Sequence, residues 1–258
     1  MANSENDGAT AAKAALPVLY KDLQPVTKER HGKTFVVARA GYGHARGAHA
    51  VPLQAQEFMQ AARCFPIVFS KGDVPMPIAV LGVKDDRNLF VDETGGWAPG
   101  CYIPAYIRRY PFASARREDS KELVLLVDPS SDAITEDATA LGAQALFEEG
   151  QPSAGIKKAQ DFCLAYEQQL AATGAFVAAA AKQDLLTARD ITCQLPSGRN
   201  HVFTGLTVFD EEKFKALADD VFLEWRRQGW LPLVYWHLIS LGHFGSLFHR
   251  LEAMEKSA

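Results

Sequence analysis

Asp92, Trp97, Tyr102, Tyr106, Arg108, Arg109 and Tyr110 fall within one short stretch, Asn88–Phe112 (NLFVDETGGWAPGCYIPAYIRRYPF), which is the richest recognition chemistry in the chain. Arginine offers planar donors for a carboxylate or phosphate, and tyrosine and tryptophan offer rigid amphipathic area, the composition of a binding hot spot. A second reading of the same residues stays open: Ile103, Ile107 and the aromatic rings belong to the core, and the arginines pair with Asp92 or Glu93. Pro104 and Pro111 bracket a short helix over Ile103–Tyr110, since a proline is harmless in a first turn and the residue before a proline leaves the α region. Helical geometry then sets Tyr102, Tyr106 and Arg109 near one edge and Ile103, Ile107 and Tyr110 near another, with Arg108 about 100° round from Arg109.

Other residue sets are poorer in information. Gly41-Tyr42-Gly43-His44-Ala45-Arg46-Gly47 follows the β-branched run Thr34–Ala38, and a glycine-rich turn at a strand end can aim backbone N–H groups at a phosphate. A dinucleotide fingerprint needs a helix that starts inside the glycines, whereas here the next helix opens only at Pro52, so the stretch reads as a surface loop. His31, His44 and His49 lie close together, but neither HExxH nor His-x-Asp occurs, and no metal site is expected. Ser240 and His243 lack the Gly-x-Ser-x-Gly elbow and sit in an apolar helical run, where His237 and His243 read as polar groups satisfied in a packing surface. No motif names a catalytic residue or a cofactor, so whether the protein is an enzyme stays open.

The elements that must carry these residues are legible in outline. A helix from Pro52 buries Leu53, Phe58, Ala61 and Ala62 and stops at Pro66. Ile67–Phe69, Pro77–Val83 and Asn88–Val91 make a small antiparallel meander, and Phe112–Arg116 with Glu122–Val127 makes a hairpin round a charged loop. A long amphipathic helix carries Ile156, Ala159, Phe162, Cys163, Tyr166 and Leu170 on one face and extends towards Leu186. Ile191–Leu195 and His201–Val208 form a further hairpin, Asp210 caps a helix, and one apolar helix runs from Leu231 to about Leu251. The fold class is α+β, with a β-rich N-terminal half of meander and hairpins and a mainly helical C-terminal half. Residues 16–258 form a single domain behind a small, polar, disordered tail at 1–15.

Composition narrows the partners. The 258 residues carry 27 Lys+Arg against 31 Asp+Glu, a net charge of −4, and so lack the positive field that holds a nucleic acid. The start MANSENDGAT has neither the basic nor the apolar region of a secretory signal, and the apolar stretch Leu231–Phe248 is interrupted by polar residues, so membrane insertion is not expected and a cytoplasmic location is. Cys64, Cys101, Cys163 and Cys193 form no CxxC pair and read as reduced thiols.

The chain resembles the SapC family of bacterial proteins along most of its length. The likeness rests on Val51-Pro52-Leu53 with Glu57-Phe58, on Phe65-Pro66-Ile67-Val68-Phe69, on Asn88-Leu89-Phe90-Val91-Asp92, on Trp97, on the run Tyr102 to Phe112, and on Leu238-Ile239-Ser240-Leu241. The resemblance implies a link to bacterial surface-layer proteins, and to genes for outer-membrane uptake receptors and halogenase-like or cupin-like tailoring enzymes. It implies no catalytic residues, and the loop Gly41–His49 looks longer and richer in glycine than the family pattern. The expected function is a non-catalytic binding or accessory protein that holds a protein partner or small acidic ligand on the Trp97–Tyr110 surface. The alternative is an enzyme acting beside uptake or tailoring machinery.

Overall fold

Side-chain caps start three of the helices. The computed structural model describes residues 16–257 except 38–40, 73, 85, 118, 119, 121, 195–197 and 199; the tail expected at 1–15 lies outside the described residues. The chain opens with strand β1 (Gln24–Pro25), one turn of helix α1 (Lys28–His31) capped by Thr27, and strand β2 (Phe35–Val36). Next come β3 (Ala50–Pro52), helix α2 (Phe58–Ala61), and the hairpin of β4 (Ile67–Phe69) with β5 (Pro77–Val80). Helix α3 (Ala105–Arg108) leads into the hairpin of β6 (Phe112–Arg116) and β7 (Leu123–Val127). Four two-residue strands follow, β8 (Ile134–Thr135), β9 (Gln144–Ala145), β10 (Phe147–Glu148) and β11 (Gln151–Pro152).

The second half is mainly helical. Ser153 caps the 29-residue helix α4 (Ala154–Lys182), its hydroxyl accepting from the Ile156 amide. A long hairpin, β12 (Leu186–Gln194) and β13 (Asn200–Phe209), precedes α5 (Glu211–Lys215), α6 (Asp219–Arg227), α7 (Leu231–Ser240) and α8 (Phe244–Ser257). Asp210 caps α5 as expected, its carboxylate accepting from the amides of Glu212 and Lys213. All sheets are antiparallel: β12-β13-β4-β5-β3 in one, β1-β7-β6 and β8-β2-β9 in two smaller ones, and the β10-β11 ribbon.

Three expectations are corrected. Pro52 does not open a helix but ends β3, which lies at the edge of its sheet, where a residue without an N–H is tolerated. The helical turn begins instead at Gln54, whose side chain accepts from Glu57 while the Glu57 carboxylate accepts from the Gln54 amide, a reciprocal cap. Asn88–Val91 is a turn rather than a strand, because the buried Asn88 side chain binds Ala45 O and the Phe90 amide. The long apolar helix is two, α7 and α8, separated by a 3-10 turn at Leu241–His243.

The main core gathers rings from both halves. Phe58, Phe69, Phe176, Phe209 and Trp225 interlock at centroid separations between 5.5 and 6.4 Å. Helix α4 joins this core, through Phe176 and Val177, to a smaller cluster of Leu125, Leu146, Ile156 and Cys163. His237 is fully buried there; its Nε2 accepts from the Phe209 amide at 3.1 Å, and burial pushes its pKa down to about 3. Ser240 is fully occupied, donating to His237 O and accepting from the Ile67 amide, and His243 meets Ala62 O. All three polar groups serve packing.

A neutral buried histidine makes stability pH-dependent. Below pH 6.5 the unfolded chain takes up a proton on residue 237 that the folded chain refuses, so stability is present above that pH and is lost as pH falls towards 3. Urea unfolding should show the native protein losing about 1 kcal/mol more per pH unit below 6 than His237→Gln does. Parallel pH profiles for the two proteins would refute this.

Candidate functional site

One buried carboxylate fixes the segment that sequence reasoning singled out. Glu57 is 3% exposed; its Oε1 accepts from the Tyr102 hydroxyl at 2.9 Å and from the Ala105 amide at 2.8 Å, and its Oε2 from the Gln54 amide at 2.8 Å. Burial raises its pKa, while these three donors and the Arg108 charge partly offset the rise. The Ala105 amide is one of the first free donors of α3, so Glu57 fastens the N-terminus of that helix to the turn before α2. Helix α3 is shorter than the expected Ile103–Tyr110, because Pro104 serves as its N-cap and Arg109 as its C-cap.

The two arginines at its end have opposite surroundings. Arg108 is exposed; it donates to Ile103 O at 3.0 Å and to the Tyr102 hydroxyl at 3.1 Å, and its guanidinium lies 5.4 Å from the Phe162 ring. The Arg109 guanidinium sits among three tyrosines, 4.3 Å from the Tyr166 ring, 4.5 Å from Tyr106 and 5.7 Å from Tyr20. Among the described residues it has no carboxylate partner, and its buried Nε makes no hydrogen bond. The negative faces of the rings balance its charge. Tyr106 and Tyr20 spend their hydroxyls on Val18 O at 2.6 Å and Phe112 O at 2.7 Å, and burial pushes the Tyr166 phenol up to about 12.

The glycine-rich loop is packed rather than a free surface loop. Gly41 approaches the turn at Gly95 so closely that a Cβ would lie 2.4 Å from Gly95 O, and the Tyr42 amide donates to that same oxygen at 2.7 Å. Asp92 shapes this turn: its Oδ1 accepts from the Thr94 hydroxyl and from the amides of Thr94 and Gly96, which together hold its carboxyl below the ordinary range. The arginine that meets the turn is Arg46, through the carbonyls of Asp92 and Glu93, rather than Arg108 or Arg109. Trp97 stacks on Phe90 and meets Tyr42 edge-on at 5.8 Å. His44 stacks on Tyr110 at 4.7 Å, and its Nε2 lies 3.3 Å from Ile107 O.

Between this loop, the end of α3 and the first turns of α4 lies a cleft of about 540 Å³. Its chemistry comes from Tyr42, His44, Arg108, Arg109, Lys158 and Phe162, with the Cys163 thiol also in the lining. Among the described residues no carboxylate lines it. Of the residues singled out by sequence, Arg108, Arg109 and Tyr110 line the cleft; Tyr102 and Tyr106 brace them from behind, and Asp92 and Trp97 support the loop opposite. Sequence reasoning set Tyr42 and His44 aside as part of a surface loop and did not single out Lys158 and Phe162. The i, i+4 spacing of Lys158 and Phe162 on α4 is a helical signal, but it does not reveal that this face looks onto residues fifty positions upstream.

The SapC family model matches residues 26–247 of the 258-residue chain. The chain belongs to the SapC family. The match spans every element round the cleft, from β2 through α4, and runs on into α8. No curated protein and no solved structure matches this SapC chain significantly. Among the described residues there is no group of His, Cys, Asp and Glu that would hold a metal ion, and no helix is long and apolar enough to cross a membrane.

The contrast between the arginines is measurable. Arg109→Ala should cost roughly 3 kcal/mol of unfolding free energy, from the lost ring contacts and the void left among three tyrosines, and Arg108→Ala less than about 1 kcal/mol. Equal costs in denaturant titrations would contradict the caged placement of Arg109. Glu57→Gln, which presents an amide donor to at least one of three donors, should cost about 2 kcal/mol by the same measurement.

Proposed function

We propose that this SapC protein is a non-catalytic binding or accessory protein whose cleft receives an acidic group, either a small anionic ligand or an acidic side chain of a protein partner. The observation that carries this reading is the lining itself: Arg108, Arg109 and Lys158 converge on an aromatic wall, with no carboxylate among the described lining residues to neutralise them. In a partly desolvated cleft, uncompensated positive charge favours an anion far more than it would at an open surface. The 540 Å³ volume lies in the range of small-molecule sites, and the Tyr42 and Phe162 rings favour a ligand with a flat apolar portion beside its acid.

The chemistry of the lining supports holding rather than turnover. Burial pushes the Cys163 thiol up to about 11, with the Arg109 charge opposing only in part, so at neutral pH it is a protonated, weak nucleophile. Among the described residues no aspartate or glutamate stands in the cleft to act as a general base. The family resemblance supplies the setting, a surface-layer component or an outer-membrane uptake system as the source of the acidic partner.

Calorimetry with small aromatic acids, benzoate and phenyl phosphate as first probes, tests the reading. Binding should weaken as salt rises, and Arg108→Ala and Lys158→Ala should each lower affinity about tenfold, near 1.4 kcal/mol, with unchanged folding. Equal affinity in native and variant proteins would remove the cleft as the site.

A further inference from the structure

Two thiols outside the cleft meet at the junction of α2 and the segment before α3. Cys64 is buried and Cys101 half-buried, and they are far apart in sequence, yet their side chains lie close enough for the Cys101 sulfur to act on the Cys64 thiol. The amide of Tyr102, one residue beyond Cys101, donates to the Cys64 sulfur at 3.1 Å, so the two backbones are already drawn together. A disulfide requires neighbouring Cβ atoms, and a Cys64 sulfur held at the amide that follows Cys101 comes near to that arrangement. Neither thiol lines the cleft, and Cys163 and Cys193 have no such neighbour among the described residues.

A third group gives the pair a direction. The guanidinium of Arg250 lies on the Phe90 ring, and its Nη2 donates to the Cys101 sulfur at 3.3 Å. A positive donor at that distance can stabilise the negative charge that the sulfur carries while it attacks an oxidant. The Cys64 thiol is the more deeply placed, with burial raising its pKa. One partner is therefore the less buried and carries a cationic donor, and the other is sheltered and adjacent, the arrangement of an attacking and a resolving cysteine.

We infer that Cys64 and Cys101 form an oxidisable pair that hydroperoxides convert reversibly to an intramolecular disulfide, with Cys101 attacking and Cys64 resolving. In the first step the Cys101 thiolate attacks one peroxide oxygen and the O–O bond breaks. Cys101 becomes a sulfenic acid, and the departing hydroxide takes up the proton that Cys101 released, giving water. In the second step the Cys64 sulfur attacks the Cys101 sulfur and the S–O bond breaks. The hydroxide leaves with the Cys64 proton as a second water. Two thiols lose two electrons and hydrogen peroxide gains them. The S–S bond would form directly behind Tyr102, whose hydroxyl joins Glu57 to Arg108, so oxidation acts on the backbone that positions the exposed arginine.

The test uses the full chain, reduced and then exposed to near-stoichiometric hydrogen peroxide, with free thiols blocked before digestion. Peptide mapping should show a Cys64–Cys101 disulfide within one chain, with Cys163 and Cys193 still blocked as free thiols, and dithiothreitol should restore all four. In Cys64→Ser the sulfenic acid at Cys101 should persist and be trapped by dimedone, and Arg250→Met should slow disulfide formation severalfold. The native peptide map decides the matter even where a cysteine variant folds poorly. Four thiols left free, a bridge to Cys163 or Cys193, a bond between two chains, or over-oxidation of Cys101 without S–S formation would each overturn the proposal.

Discussion

A carboxylate with almost no access to water can remain in a fold only if donors surround it, and Glu57 imposes that condition on its neighbourhood. Its three donors come from Gln54, Tyr102 and Ala105, so satisfying the charge brings together the turn before α2, the chain before α3 and the first amide of α3 itself. Gln54 extends the arrangement, since the Thr173 hydroxyl donates to its side chain and accepts from the Ala55 amide, which adds the middle of α4. The orientation of α3, and with it the placing of Arg108 and Arg109, follows from where this carboxylate finds its partners.

The two arginines show how one residue type serves two physical ends in adjacent positions. Arg109 is balanced by ring faces rather than by an acid, which keeps its positive charge unneutralised beside the cleft while its body fills space among tyrosines. Arg108, held by the Ile103 carbonyl and the Tyr102 hydroxyl, keeps its charge near solvent. The cleft thus combines a fixed positive background with a more accessible cation, and Lys158 on α4 adds a third from the opposite wall.

Local signals carried the fold further than the site. The hairpin of β6 and β7, the cap at Asp210 and the helix containing Phe162, Cys163 and Tyr166 were legible, because apolar spacing and capping chemistry act over a few residues. Pro52 misled because a proline is equally at home in a first helical turn and on an edge strand, and only the sheet order separates the two. Asn88–Val91 reads as a strand by composition, but the buried Asn88 side chain binds neighbouring backbone and turns the chain. At the site, Arg108, Arg109 and Tyr110 were found by type, whereas the cage round Arg109 needs Tyr20 and Tyr166, and the far wall needs Tyr42 and His44. Those meetings are tertiary, and nothing in the spacing of either partner announces the other.

The length of α4 bears on how the cleft can open. One end of this 29-residue helix contributes Lys158 and Phe162 to the cleft, and the other end is sunk in the main core through Phe176, Val177 and Ala180. A continuous helix transmits the protection of its buried turns along its length, so this wall can give way only at a cost approaching that of unfolding the core. The opposite wall is the 3-10 turn at Gly43–Ala45, held by its backbone hydrogen bonds, by His44 stacked on Tyr110 and by the buried Asn88 side chain on Ala45 O. Helix α4 is thus the fixed jamb of the cleft: it sets where Lys158 and Phe162 stand, and a guest must fit them rather than displace them.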